Sequence, residues 1–353
     1  MRRHRTPAVV VLLTALLAAS AVAGLALGPV RIAPGQVLDI VLGRLTGEER
    51  TGAFASIVWD VRMPRVLLGA VVGAGLAVAG TVLQALVRNQ LADPFLLGAS
   101  SGASAGAVLV IVFGAGGGVA GMAGLAGLAG RLGVPFAAFA GSLGALVAVY
   151  AMARRGGVMT TGRLILAGVA VQYVLSALTS LVLVLAAHPD QVRSVLFWTL
   201  GGLGGARWEE LALPAVALLV GTVLLIALAR PLDLLLAGEE GAHTLGLDTG
   251  RFRAAVFVLT SLVIGVLVAY SGAIGFVGLM IPHAARMVVG AGHRALLPVA
   301  ALGGAVFLML ADLVARTAAA PEEIPVGVVT ALVGGPFFLW MLRRSTRTEG
   351  MTG

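Results

Sequence analysis

The sequence predicts an all-α polytopic membrane protein with about ten transmembrane helices, and three observations support this fold class. Hydrophobic residues make up 59% of the 353 residues and charged residues only 11%, whereas a soluble domain carries about a quarter charged residues. The apolar runs approach or exceed about 20 residues, the length of a helix that crosses a bilayer. They lack the strict alternation of barrel strands, so their backbone groups are expected to bond within helices.

Ten apolar runs are predicted to be the spans. They cover residues 7–28, 64–87, 99–118, 134–153, 164–187, 209–229, 252–270, 274–290, 295–316 and 325–342. The first follows a basic N-terminus, as in a signal peptide, but its length and the later spans favour an uncleaved helix. The third runs into a Gly- and Ala-rich stretch that hides its end. No soluble domain is visible, so residues 1–353 are expected to form a single transmembrane domain.

The arginines predict the orientation of these spans. The chain has no lysine, so all 24 basic residues are arginines. With the N-terminus in the cytoplasm, 15 of the 24 fall on the cytoplasmic side, as the positive-inside rule requires. Both termini of this cell-membrane protein are therefore expected in the cytoplasm. The net charge of +8 is interpreted as arginines that set the membrane topology and contact lipid. Nucleic acid is not an expected partner.

Missing residue types exclude several chemistries. Without cysteine there can be no disulfide, thiolate catalysis or zinc–thiolate site. Without lysine there can be no P-loop of the form G-x-x-x-x-G-K-[ST], so any ATP would be hydrolysed by a separate chain. No cluster of Asp, Glu and His has metal-ligand spacing, and His283 is expected to bond to nearby backbone rather than to bind metal or relay protons. The sequence predicts no catalytic site, cofactor or metal.

Small residues recur every four positions in two of the predicted spans. They are Gly69, Gly73 and Ala77 in the second span and Gly98, Gly102 and Gly106 in the third. Such stripes let helix backbones approach closely in lipid. Tight helix packing is the expected role, with lining of a wide pathway as the alternative.

Charged residues also occur at the predicted outer ends of two spans. Asp312 and Arg316 are four residues apart and therefore share one helix face. Charges in membrane spans are costly and usually paired, so they form either a structural ion pair or part of an outer mouth. Arg62 and Arg65 flank Pro64, which fits the first turn of a helix. Because two arginines at a helix N-terminus oppose its dipole, lipid headgroups or an acidic protein partner must favour them.

The segment at about 231–253, between the sixth and seventh spans, brings several charges together in a chain that otherwise avoids them. Pro231 is expected to close the sixth span. Glu239–Leu245 is predicted to form a short helix bracketed by Gly238 and Gly246, with acids in its first turn and a glycine at its end. A solvated loop and a docking element for a cytoplasmic partner are both compatible with this pattern.

Taken together, the motifs resemble those of the FecCD-type permeases, the membrane subunits of ABC importers for ferric siderophores, haem and cobalamin. The resemblance extends from about Pro34 to Arg344. The motifs are RMPR at 62–65, LADPFLLG at 91–98, GEE at 238–240 with LGL at 245–247, GFVGL at 275–279 with IPH at 281–283, AD at 311–312 with Arg316, and PVGVVT at 325–330. One departure is Asn89-Gln90-Leu91, where the family usually has Asn-Pro-Leu, and it is expected to loosen that turn.

The resemblance implies the type II ABC importer permease fold and a set of partners. These are a second permease subunit (the same chain or a close relative), a cytoplasmic ABC ATPase dimer and an extracytoplasmic substrate-binding protein. It also implies three groups of site residues. ATPase coupling is assigned to Gly238, Glu239, Glu240, His243, Leu245 and Gly246; docking of the binding protein to Arg62, Arg65 and Arg316; and the inner mouth of the pathway to Thr160, Thr161 and Gly162.

The expected function is therefore import of a large metal chelate, driven by the partner ATPase. A ferric siderophore is the first expectation, on family frequency, with haem or cobalamin as alternatives. A proton-coupled secondary carrier would need acidic residues near the bilayer midplane, and none is evident in the sequence. A membrane enzyme would need a catalytic constellation, and none is evident either.

Overall fold

The computed structural model describes residues 5–48, 52–93, 95, 98–113, 123–155, 158–159, 161–236 and 238–349. Its long elements are all helices, which confirms the predicted all-α class. The helices are α1 (Arg5–Ala26), α2 (Pro34–Thr46), α3 (Ala53–Ser56), α4 (Met63–Val87), α5 (Ala99–Phe113), α6 (Ala123–Ala153), α7 (Thr161–Ala186), α8 (Pro189–Thr199), α9 (Trp208–Ala227), α10 (Ala229–Leu236), α11 (Glu239–Thr244), α12 (Thr249–Ser271), α13 (Val277–Val289), α14 (His293–Ala315) and α15 (Val326–Glu349). Two strands of two residues each, β1 (Arg154–Arg155) and β2 (Val158–Met159), pair in antiparallel orientation.

Each of the ten predicted spans coincides with one apolar helix. Among the described residues, seven helices are long and apolar enough to cross a membrane. The other three spans correspond to the shorter apolar helices Ala99–Phe113, Val277–Val289 and Val326–Met341. The predicted third span overruns α5, and its residues 114–118 lie outside the described part of the chain.

Helix α4 is the centre of the packing and is buried along most of its length. It crosses α14 at Gly73 and Gly304, where a Cβ on either glycine would overlap the carbonyl oxygen of the other. Gly102 of α5 and Gly141 of α6 form a second crossing of the same kind. The predicted role of the glycine stripes in tight helix packing is thus confirmed at these two crossings.

Helix α13 is a short helix that follows an extended, largely buried segment. The predicted span 274–290 begins within this segment, whereas the helix itself begins only at Val277. The preceding helix α12 ends at Ser271, whose carbonyl accepts a bond from the N–H of Gly202 (2.9 Å). Non-helical backbone is tolerated inside a membrane protein only where other protein covers it, and here the connection that begins at Gly201 supplies that cover.

Pro64 lies in the first turn of α4, as expected, but α4 is not the start of the helical segment. Ala53–Val87 is one continuous helical segment, in which a π-helical turn, Ile57–Arg62, precedes α4. The N–H of Met63 bonds to the carbonyl of Val58, five residues back. Such a turn accommodates the missing N–H of a proline inside a helix. The two arginines beside Pro64 therefore do not lie at a helix N-terminus, and the dipole argument against them does not apply.

Candidate functional site

The segment 231–253 contains most of α10, the short helix α11 and the start of α12. Helix α9 ends at Ala227 and α10 begins at Ala229, so Pro231 lies in the first turn of α10 and does not close the span as expected. Leu232 and Leu235 are fully buried and anchor α10 to the bundle.

Glycine conformations define both ends of α11. Gly238 before it and Gly246 after it have positive φ angles of 104° and 85°, which side chains rarely adopt. The N–H of Leu247 reaches back to the carbonyl of Ala242 (3.0 Å), the bond that closes a Schellman cap. Leu245 remains 65% exposed. The result is a short helix with defined ends, followed by an exposed apolar side chain in a charged segment.

A buried ion-pair cluster joins the ends of α4 and α14. Asp312 is 2% exposed, and its carboxylate accepts bonds from Nε of Arg65 at 2.9 and 3.1 Å. Arg65 also donates through Nη1 to Glu323 (2.9 and 3.0 Å). Arg316, the partner expected from the four-residue spacing, lies farther away, with its Nε 3.6 Å from Asp312. The closest partner of Asp312 is thus a residue 247 positions away in sequence.

The other two arginines of this end bond to the backbone of α1 and its following turn. Arg62 donates to the carbonyls of Leu25 (2.6 Å) and Ala26 (3.2 Å), and also to Val30. Arg316 donates to the carbonyl of Gly24. Carbonyls at the C-terminal end of a helix attract cations, so these guanidinium groups cap α1.

The three arginines assigned to docking are therefore not free surface charges. Arg62, Arg65 and Arg316 are 4%, 9% and 4% exposed, respectively, and all three have intrachain partners. Exposed arginines lie beside them in sequence and space: Arg31 follows the Val30 carbonyl that binds Arg62, and Arg207 precedes Trp208. The indole of Trp208 donates to the carbonyl of Trp59 (2.8 Å) in the π-helical turn that ends at Arg62.

A wall of hydroxyl and amide side chains lies between α5 and α7. These two helices border a cavity of about 330 Å³. The polar residues that line it include Ser100, Ser104, Gln172, Ser176, Thr179 and Ser180. On α7 the spacing of four, then three, puts these residues on one face.

No residue in the most apolar stretch of α7 is fully buried within this chain. Polar side chains on such a helix are costly against lipid, so their face requires protein or water beside it. The sequence predicted no role for these side chains, although the spacing of the polar residues in α7 could have revealed the α7 half of the wall.

Asp93 lies in the LADPFLLG motif at 91–98, but the sequence predicted no role for it. Its Oδ1 accepts a bond from the N–H of Phe95 (2.8 Å), and its carboxylate also accepts one from the N–H of Phe276, next to the start of α13. Although the residue is only half-buried, loss of water around the carboxylate raises the pKa of Asp93 to about 6, against the effect of these two donors. Asp93 therefore ties the α4–α5 connection to the short helix.

The remaining predicted residues are placed as follows. Thr161 and Gly162 begin α7, while Thr160 lies outside the described residues. The Nδ1 of His283 is buried without a bonding partner in the described part of the chain, so the expected backbone bond is not seen. No group of three or more metal-ligating side chains occurs among the described residues. The turn at Asn89 is held by its own side chain, which accepts from the N–H of Leu91 (2.9 Å), so the missing proline does not leave it open.

This arrangement defines a class of protein: a helical membrane permease with a polar wall, a short helix with defined ends at one end and a buried charge cluster at the other. Comparison with known proteins identifies the family. Residues 15–344 match the model of the FecCD transport family. The chain belongs to that family and is a permease subunit of an ABC importer, whose ATPase is a separate chain.

Individual relatives agree with this assignment. A cobalamin import system permease of Halobacterium salinarum is 45% identical over 289 residues, which are 81% of this chain and 73% of that protein. A hemin transport system permease of Yersinia pestis is 40% identical over 288 residues, 81% of this chain and 83% of that one. A solved metal-chelate type ABC transporter in an inward-facing conformation superposes with a TM-score of 0.80 at 32% identity, covering 96% of this chain and 99% of that one. The type II importer permease fold is thereby confirmed.

Proposed function

We propose that two copies of this chain, or this chain and a close relative, form the conduit of a cell-membrane importer for a large metal chelate. The polar wall on α5 and α7 is the observation that supports it. Its residues are uncharged and carry no metal-ligating carboxylate or imidazole. Such a wall suits passage of a bulky solute without tight binding. The unburied face of α7 supplies the surface on which a second subunit would close the pathway.

The nature of the cargo is a finer part of this proposal. The relatives named above import cobalamin and hemin, so these two macrocyclic chelates should be tested first, with a ferric siderophore as the third candidate. Because the wall carries no group that selects among them, we propose that the external binding protein supplies the selectivity.

Transport in reconstituted vesicles tests the conduit. The chain is combined with its ATPase and binding protein, and uptake of cobalamin, hemin and a ferric siderophore is measured. Ser176→Leu should lower uptake severalfold with normal assembly, because it puts an apolar side chain into the polar wall. Val174→Leu, on another face of α7, is the matched control. Equal uptake by both variants would refute the role of the wall, and uptake that needs a proton gradient but no ATP would indicate a secondary carrier.

We propose that α11 and its flanking residues couple the permease to the ATPase in the cytoplasm. The two positive-φ glycines and the exposed Leu245 support this role, since a short helix with defined ends transmits a push better than a loop does. Changing Glu239 and Glu240 together to Ala should lower ATPase-coupled uptake while the binding protein still docks. Normal coupled turnover in that variant would contradict the assignment of the two acids.

The opposite end is proposed to receive the binding protein. Because Arg62, Arg65 and Arg316 have intrachain partners, we propose that they hold this face together, while the exposed Arg31 and Arg207 present positive charge to the partner. Arg207→Glu should then weaken docking without loss of thermal stability, whereas Arg65→Glu should lower both. Unchanged docking of Arg207→Glu would argue for direct contact by the buried arginines after a rearrangement.

A further inference from the structure

A second polar cavity lies at the end of the bundle that carries the 231–253 segment. It has a volume of about 270 Å³ and lies where α4 ends, α13 ends and α14 begins. Its polar lining residues are Gln84, Arg88, Asn89, Gln90, Arg286 and His293. No carboxylate occurs among the described residues that line it, whereas two arginines do.

The histidine of this cavity is buried, and only one of its two ring nitrogens has a bonding partner among the described residues. His293 is 1% exposed, and its Nδ1 lies 2.6 Å from Oδ1 of Asp233 on α10. The same oxygen accepts the backbone N–H of His293 (2.9 Å). A carboxylate at Nδ1 holds the proton there, which leaves Nε2 as the acceptor nitrogen of the ring. Nε2 is buried and has no bonding partner among the described residues, although buried polar atoms are nearly always paired.

The arginines are held in different ways. Nη1 of Arg286 donates to Oε1 of Gln84 (2.9 Å), and Gln84 in turn donates to the carbonyl of Leu279 (3.3 Å). Arg286 is therefore oriented by a fixed amide. Arg88 is exposed, and its Nη2 lies 3.8 Å from the position that a Cβ on Gly238, the residue before α11, would occupy.

We propose that this cavity binds a phosphate-type oxyanion. Arginine forks match phosphate oxygens and bind them through charge-assisted bonds. The free Nε2 of His293 can accept a proton from a P–OH group or, when the ring is protonated, donate to an anionic oxygen. Basic pockets between membrane helices at an interface bind phospholipid headgroups, and inorganic phosphate presents the same chemistry. The site is independent of the proposed cargo, and occupying it would link α4, α13 and α14 beside the coupling segment.

Ligand-dependent stability tests this site on the purified, delipidated full-length chain. A ligand that binds only the folded state raises the unfolding midpoint in a saturable way. Inorganic phosphate is titrated against chloride at equal ionic strength. Wild type should show a saturable rise, and Arg88→Gln should need about tenfold more phosphate, the loss expected for one charge-assisted bond. Arg294→Gln is the matched control, since Arg294 is exposed at the same end but does not line the cavity.

A second arm separates the two sources of the oxyanion. The chain is placed in phosphatidylcholine vesicles with and without phosphatidylglycerol, and the lipid it retains is measured by native mass spectrometry. If wild type retains more phosphatidylglycerol than Arg88→Gln does, the ligand is a lipid headgroup. If wild type instead shows only the phosphate-dependent rise of the unfolding midpoint, the ligand is the free ion. If Arg88→Gln does not fold, Gln90→Glu tests the same site by adding a negative charge to its rim. Absence of both responses in wild type, or equal loss in Arg88→Gln and Arg294→Gln, would overturn the proposal.

Discussion

At the scale of single residues, the charged groups that matter most are buried and paired. Asp312 has its main partner, Arg65, on a different helix, and Asp93 bonds to two backbone N–H groups in different parts of the chain. A buried charge is tolerated only when such partners replace water. Loss of one member is therefore expected to cost more than loss of the whole group.

Replacement of Asp312 by Ala is the first residue-scale prediction. It leaves Arg65 and Arg316 without their buried carboxylate, and breaking such a pair typically costs about 3–5 kcal/mol. The unfolding midpoint in detergent should fall sharply. The double variant Arg65→Met with Asp312→Leu should recover part of the loss, because it removes the charges of the Arg65–Asp312 pair and keeps the volume, while Arg316 still lacks its carboxylate. A single variant as stable as the double one would contradict the ion-pair assignment.

The raised pKa of Asp93 predicts a pH dependence of stability. An acid whose pKa is higher in the folded state binds its proton more tightly there, so stability falls as pH rises from about 4, the unfolded value, to about 6. Each unit of pKa difference is worth about 1.4 kcal/mol at most. Thermal unfolding of wild type and Asp93→Asn should be compared at pH 4.5–7 at constant ionic strength. Asn keeps one acceptor oxygen for these N–H groups but cannot titrate, so that variant should lack this component, and identical profiles would contradict the prediction.

At the scale of elements, glycines determine where helices cross and where they stop. Gly73 and Gly304 allow α4 and α14 to touch backbone to backbone, and Gly102 and Gly141 do the same for α5 and α6. Gly238 and Gly246 end their helices through positive φ angles. One residue type therefore serves either packing or chain reversal, depending on its surroundings.

This difference predicts opposite effects of Gly→Ala changes within helices. Ala favours an exposed helix interior over Gly by about 1 kcal/mol, but at Gly73 the added Cβ meets the carbonyl of Gly304. Gly73→Ala should thus be destabilising by about 1–3 kcal/mol, as overpacking usually is. Gly144→Ala in α6, where a Cβ would meet nothing within 4 Å, should be neutral or stabilising. The unfolding midpoints of the two variants are compared, and a neutral Gly73→Ala would indicate that α4 and α14 are packed less closely.

At the scale of the whole molecule, α14 runs from one functional end to the other. It begins at His293, bonded to Asp233 of α10, and ends beside Asp312 and Arg316 in the charge cluster. Its close crossing with α4 brings the two helices into backbone contact. If the 231–253 segment has the proposed coupling role, this packed pair of helices connects it to the opposite face.

The assembly itself supplies the whole-molecule prediction. Purification of the chain from its native membrane in mild detergent should recover a P-loop ATPase in stoichiometric amount, because this chain has no lysine to build that loop itself. Quantitative mass spectrometry of the eluate provides the measurement. Recovery of the chain alone, under conditions that retain a known importer complex, would contradict the proposed assembly.

Much of the fold was predictable because a bilayer imposes simple local rules. Apolar runs of the length of a span identified the helices, and absent lysine and cysteine excluded whole chemistries. Gly246 could be recognised as a helix end because α11 is terminated by residues within one turn. The π-helical turn before Pro64 was not predictable, because a helix can accommodate proline in more than one way.

The sequence by itself determined the class, the approximate positions of the spans and the motifs of the family, all of which depend on composition and short spacings. Only the tertiary structure decided that Arg65 is the main partner of Asp312, that the arginines expected to dock the binding protein are buried, and that α5 and α7 together form a polar wall. It alone brought Arg88, Arg286 and His293 to one cavity. The physical reason is that these groupings arise from helix packing, which joins residues hundreds of positions apart and leaves no periodic signal in the chain.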